Sequence, residues 1–183
     1  MFARTDRLLL RPGWIEDAPA LAAAIADPAI ARMTRRIPHP YALADAEAHI
    51  ARQHGTMLPD LLVFARTHGA PRLVGGVGMV EAGAGRAALG YWIARPYWGL
   101  GYATEAAAAV IDMGFSSLRL QGLIAEHFAD NPASGRVLRK LGFQPTGLRA
   151  ERGSVARGGT APCLQYRLAA EAWGQDAEEP LAA

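Results

Sequence analysis

Apolar and polar positions divide the chain into segments of two different periods. Three leucines between arginines in "RLLLRP" (7–12) make a short apolar run ended by proline, which predicts a strand. In "IEDAPALAAAIADP" (15–28), Ala18, Leu21, Ala22 and Ile25 recur at helical spacing. Glu16 and Asp17 stand where a helix dipole favours acids, and Pro28 is expected to close that helix. "RRIPHPYAL" (35–43) holds two prolines and must be loop, and "ADAEAHIARQHG" (44–55) predicts a shorter helix stopped by Gly55. The period then changes. "LLVFART" (61–67), "RLVGGVGMVEA" (72–82) and "RAALGYWIA" (86–94) are apolar runs joined by the turn-type links "HGAP" and "GAG", the pattern of an antiparallel meander, with Pro96 ending its third strand. A helix is expected from about Tyr102 to Ser116, a strand over Gly122–Phe128 and a helix from Asn131 to Leu141, stopped by Gly142. The strands "TGLRAERGSV" and "PCLQYRL" follow, and a frayed tail from about 175 to 183. The order β-α-α-β-β-β-α-β-α-β-β implies an α+β fold with a mixed sheet rather than strict βαβ alternation.

Composition narrows the classes. The 183 residues fit one domain, 1–183, and with 51% hydrophobic and 20% charged residues they can bury a core. No apolar run approaches the roughly 20 residues of a membrane helix. Charges interrupt the apolar start "MFARTDRLLLRP", so no signal peptide is expected there. Cys163 is the only cysteine, which excludes an internal disulfide and a cysteine metal cluster; it suits a small strand residue in a reducing cytoplasm. The net charge of +2 comes from scattered arginines, with Lys140 the only lysine. That is a poor footprint for nucleic acid, although it favours anionic small molecules.

The chemistry concentrates in "YWGLGYATEA" (97–106), where glycines directly precede a helix. A helix start leaves about four backbone N–H groups without intrahelical partners, and the dipole adds positive charge. Gly99 and Gly101 remove side chains that would keep a phosphate from those donors, and Ala103 keeps the next position small. A tight turn explains the glycines equally well. The glycines of "VGGVG" and "GLG" do not make a dinucleotide fingerprint, because neither opens a first βαβ unit. A second segment, "ADNPASGRVLRKLGF" (129–143), sets Asn131 before Pro132 as a helix start and puts Ser134 and Leu138 on one helix face.

Together, "GYWIARPYWGLGYATEA" and "DNPASGRVLRKLGF" resemble the GNAT superfamily of N-acetyltransferases, in particular its RimJ/RimL-type branch. The likeness runs from "TDRLLLRP" and "EDAPAL" through "VGGVG" to "YRL" and Trp173. It implies the GNAT fold, a mixed sheet of about seven strands with a splayed parallel pair flanked by about four helices. The family's Gln/Arg-x-x-Gly-x-Gly/Ala hexad falls on Trp98–Ala103, with Trp98 replacing Gln or Arg. By resemblance, acetyl-CoA is the co-substrate. Its pyrophosphate is held by amides from Leu100 through Tyr102 to Thr104. Its pantetheine arm passes between the splayed strands beside Ile93, Ala94 and Arg95, and Asn131 contacts it from the other side.

Moving an acetyl group from a thioester to an amine calls for a base, donors for the tetrahedral oxyanion and an acid for the thiolate, with no metal. Glu126 and His127 are adjacent on one strand and face opposite ways, so at most one serves as base. The family places a glutamate at the position of Glu126, and Glu126 is preferred, acting directly or through a water. Relatives use a tyrosine as acid where this chain has Leu138; Ser134 matches the serine of the branch and either protonates or hydrogen-bonds the sulfur. A main-chain N–H near Ile93 is the expected oxyanion donor. For the acceptor pocket, Tyr41 and His39 of the proline-rich loop are candidates, as is Tyr91, whose parity opposes that of Trp92. The branch suggests a protein N-terminus as acceptor. A small-molecule acetyltransferase acting on polyamines, amino acids or antibiotics, and a non-catalytic acyl-CoA-binding module, are the alternatives. A homodimer is allowed by the resemblance alone.

Overall fold

The computed structural model describes residues 1–53, 57–66 and 69–174. Strands β1 (Ala3–Arg4) and β2 (Leu8–Arg11) lead into helices α1 (Ala18–Ile25), α2 (Pro28–Arg32) and α3 (Leu43–Gln53). The meander β3 (Asp60–Ala65), β4 (Arg72–Glu81) and β5 (Arg86–Ile93) follows, then α4 (Tyr102–Asp112), β6 (Gly122–Phe128) and α5 (Pro132–Lys140). A long hairpin, β7 (Gln144–Ser154) and β8 (Gly159–Ala169), completes the sheet. The expected stop at Gly55, His68 of the "HGAP" link and the tail at 175–183 lie outside the described residues.

The α+β reading and the mixed sheet hold, with eight strands rather than about seven and five α-helices rather than about four among the described residues. The extra strand is the two-residue β1, too short to announce itself. The extra helix corrects the reading of Pro28. It opens α2 at the first helical position, where its missing N–H costs nothing, and Asp27 caps that helix by accepting the Ala29 N–H at 2.8 Å. The helix after Gly101 ends as α at Asp112 and continues as a wider π turn over Met113–Ser117.

β3 sits inside the sheet and is buried from Leu61 to Ala65. Its alternation feeds two cores. Leu61, Val63 and Ala65 join Ala106, Ala107, Val110 and Ile111 of α4. Leu62 and Phe64 join Leu21 and Ile25 of α1 and Ala46 and Ile50 of α3. Each large side chain so buried contributes about 1.5–3 kcal/mol, so both sheet faces are firmly covered. The "VGGVG" glycines serve this packing: a Cβ on Gly76 would lie 2.5 Å from the indole Nε1 of Trp92 across the ladder.

Strand order is β1-β2-β3-β4-β5-β6-β8-β7. Neighbours are antiparallel except β5 and β6, which run parallel and pair only from Arg86–Gly122 to Leu89–Ala125. Past that rung the two strands part, and the sheet is split by a wedge. No helix among the described residues is long and apolar enough to cross a membrane.

Candidate active site

The wedge exposes a defined set of main-chain groups. Ala94 N–H bonds Val74 O at 2.8 Å and Ala82 N–H bonds Arg86 O at 2.9 Å. Hydrogen-bonded pairs alternate along an antiparallel ladder, so the main chains of Gly90, Trp92 and Ala94 are committed to β4. Those of Leu89, Tyr91 and Ile93 turn toward β6, which accompanies them only as far as Leu89. Tyr91 and Ile93 therefore present their amides to the open wedge. The Ile93 carbonyl is taken by the indole N–H of Trp98 at 2.6 Å, a local task for the residue that replaces Gln or Arg.

Beyond β5, a 3-10 turn over Arg95–Tyr97 leads to Gly99 and Gly101, both in the left-handed region at φ +79° and +81°. Gly101 is the N-cap of α4 and has no side chain to offer. The first helical bond runs from Glu105 N–H to Gly101 O at 3.1 Å, so the amides of Tyr102, Ala103 and Thr104 lack intrahelical partners. Glu105 would oppose an anion here, but it is neutralised from the link between β1 and β2. Arg7 bonds its carboxylate through Nε at 2.7 Å and through its main-chain N–H at 3.0 Å, while Thr5 Oγ1 donates at 2.5 Å. Burial alone would raise the Glu105 pKa; these bonds outweigh it and hold the carboxyl below its ordinary range. A second arm of Arg7 donates to Leu100 O at 2.9 Å and so pins the glycine loop. Nothing local in the sequence signals this contact between residues far apart in the chain.

On the far lip, Asn131 caps α5 by accepting the Ser134 N–H at 3.3 Å. The Tyr91 phenol oxygen lies 2.8 Å from Ser134 Oγ and 3.2 Å from the Ser134 carbonyl. Burial pushes this phenol up to about 12, against a smaller pull from its bond with Ser134. Leu138, one turn further along, is buried in the core. A hydroxyl pair thus stands beside the wedge although position 138 has no tyrosine. Strand parity separates Tyr91 from Trp92, which packs on the α1–α3 side.

Glu126 and His127 also separate by parity. Glu126 faces the cleft and is gripped by Arg152, with Nε to Oε2 at 2.8 Å and NH2 to Oε1 at 2.6 Å. Gln165 Nε2 donates to Oε1 at 3.3 Å, and Arg35 stands 3.7 Å from Oε2. The Arg152 bonds hold the carboxyl below its ordinary range, and Oε2 keeps a lone pair for a water or an amine. His127 is buried beneath α5: Nδ1 lies 2.8 Å from Phe128 O and Nε2 3.4 Å from the Tyr166 hydroxyl. Cys163 is buried on β8 opposite Phe128, and burial pushes its thiol up.

These groups line one cleft of about 1340 Å³ that runs from the α4 start to the loop after α2. It takes in Tyr41, Tyr91, Ile93, Trp98, Gly99, Gly101, Tyr102, Ala103, Thr104, Glu126, Asn131 and Ser134. Tyr41 packs on the α1–α3 core, and burial, then Asp45, push its phenol to about 12. His39 is exposed on the proline loop outside the cleft lining. Ala94 and Arg95 line a smaller hollow beside α1, where Arg95 meets Asp27 at 3.3 Å. Leu100 is exposed outside the cleft lining, with its carbonyl taken by Arg7. Arg152 and the Tyr91–Ser134 pairing are the site features that sequence reasoning missed.

Known proteins share this fold. Residues 7–144 match the family model described as an acetyltransferase (GNAT) domain. The N-acetyltransferase p20 of Bacillus licheniformis is 31% identical over 153 residues, covering 79% of this chain and 83% of that protein. The crystal structure of a GNAT-family acetyltransferase from Bacillus anthracis superposes with a TM-score of 0.80 at 24% identity, over 93% of this chain and 99% of that one. Mycobacterium smegmatis RimJ in complex with CoA-disulfide gives a TM-score of 0.77 at 24% identity, over 92% and 84%.

Proposed function

The chain belongs to the GNAT family of acetyltransferases, and we propose that its cleft binds acetyl-CoA and passes the acetyl group to a primary amine. The observation that carries this reading is the wedge itself. A parallel ladder that stops at Leu89–Ala125 leaves main-chain groups open directly beside a helix start with three uncommitted amides. Acetyl-CoA fits that donor set: an anionic diphosphate suits the amides of Tyr102 to Thr104, and an amide-bearing arm suits the main chain of Tyr91 and Ile93. Mycobacterium smegmatis RimJ, similar in fold, was solved in complex with CoA-disulfide, which is in keeping with a coenzyme A ligand.

Acetyl-CoA supplies an activated thioester; the chain's residues supply the rest. Glu126, ionised and with a lone pair on Oε2, takes the ammonium proton directly or through a water. Of the two open β5 amides, Tyr91 and Ile93, one pairs with the arm and the other is the oxyanion donor. The Ser134 hydroxyl, backed by the Tyr91 phenol, stabilises the departing sulfur. Resemblance to the RimJ/RimL branch makes a protein N-terminus the first acceptor to test, with small amines as the alternative.

Calorimetric titration with acetyl-CoA, followed by a thiol-release assay over peptides and small amines, tests this reading. Binding heat and thiol release with at least one amine are expected. No heat at millimolar ligand overturns the reading, and binding without release on any amine leaves a non-catalytic acyl-CoA module.

A further inference from the structure

The acceptor end of the cleft is roofed by two segments that meet. Ser154 Oγ donates to Thr34 O at 3.0 Å, Val155 N–H to Arg35 O at 3.1 Å, and Arg157 Nε to Arg32 O at 2.9 Å. The tip of the β7–β8 hairpin is thereby fastened to the loop after α2, and the backbone of Arg35 is fixed. The charges of this roof do not balance. Glu126 is shared by Arg152 and Arg35, and Asp130 by Arg157 and Arg32. Four guanidiniums thus face two carboxylates. Arg152 is spent on its bidentate bond, whereas Arg35 stands 3.7 Å from Glu126, beyond hydrogen-bond reach, with 52% of its side chain exposed. The other wall carries Asp45, which caps α3 through the Ala42 N–H, Asp60 beside His49, and Arg52.

A bare ammonium approaching Glu126 meets two cations around one anion. An amine that brings its own anion does not. Resting on the acetyl-transfer reading above, we infer that the acceptor carries a carboxylate a few bonds from its amine and that Arg35 receives it. A free amino acid and a peptide beginning with Asp or Glu share that chemistry. Polyamines lack it.

The test compares kcat/KM for a free amino acid with its amide, for peptides beginning with Asp or Glu with those beginning with Asn or Gln, and for a diamine. At least one acid form should exceed its amide partner by tenfold or more, and which pair does so identifies the source. Arg35→Gln should collapse that ratio toward one, Arg35→Lys should keep part of it, and acetyl-CoA titration confirms that each variant is folded. Equal rates for acids and amides, a faster diamine, or a ratio untouched by Arg35→Gln overturns the inference while leaving acetyl transfer standing. Absence of transfer to every amine sinks both.

Discussion

Glu126 is a carboxylate whose acidity is set from outside its own strand. Its partner Arg152 lies 26 positions away and reaches it from β7. Removing a neighbouring cation disfavours the charged form, so Arg152→Ala should raise the Glu126 pKa toward its ordinary range. The acid limb of the pH–rate profile should move to higher pH, and Glu126→Gln should cut turnover and abolish that limb. Tyr91 and Ser134, 43 positions apart, act through one hydrogen bond. Tyr91→Phe and Ser134→Ala should each slow turnover by on the order of a hundredfold. The double variant should be little worse than either, because a shared bond is lost only once. The facing of Glu126 away from His127 was legible from strand parity. Arg152 and the bond of the Tyr91 phenol to Ser134 were not, since a side-chain bond between distant segments leaves no mark in local pattern.

Among the elements, boundaries were legible wherever caps and periodicity agreed, as at Gly122–Phe128 and at the Asn131 cap of α5. Pro28 misled because proline marks both a helix end and a first turn, and the Asp27 bond decides between them only once folded. Two glycines define element geometry. At Gly101 the backbone is left-handed, so Gly101→Ala stores about 1–3 kcal/mol of strain or flips the peptide. Either way the amides of the α4 start are misaimed, and acetyl-CoA affinity measured by calorimetry should fall at least tenfold. Gly135 faces the buried imidazole of His127: an added Cβ would come 2.7 Å from Nε2. Gly135→Ala should push α5 off β6, cost about 1–3 kcal/mol and lower Tm by roughly 2–4 °C for each of those kcal/mol.

For the molecule as a whole, the α+β class and the mixed sheet followed from the alternation of strands and helices. The site where the sheet parts did not, and only the family resemblance pointed to it, because the register of a parallel pair is fixed by tertiary contacts. One long-range tie sets a pH dependence of stability. Glu105 has its folded pKa held below the unfolded value near 4.5, so its contribution is full above that value and is lost as pH falls through the folded one. Glu105→Gln should therefore lower Tm clearly at neutral pH and hardly at all in strong acid. The parting of β5 from β6 has a dynamic consequence too. The Tyr91 and Ile93 amides sit mid-sheet yet have no strand partner on that side among the described residues, so their hydrogens should trade with deuterium as quickly as those on an outer border. Once a molecule threads the gap, that exchange should slow while the Trp92 amide, sealed on β4, keeps its original pace.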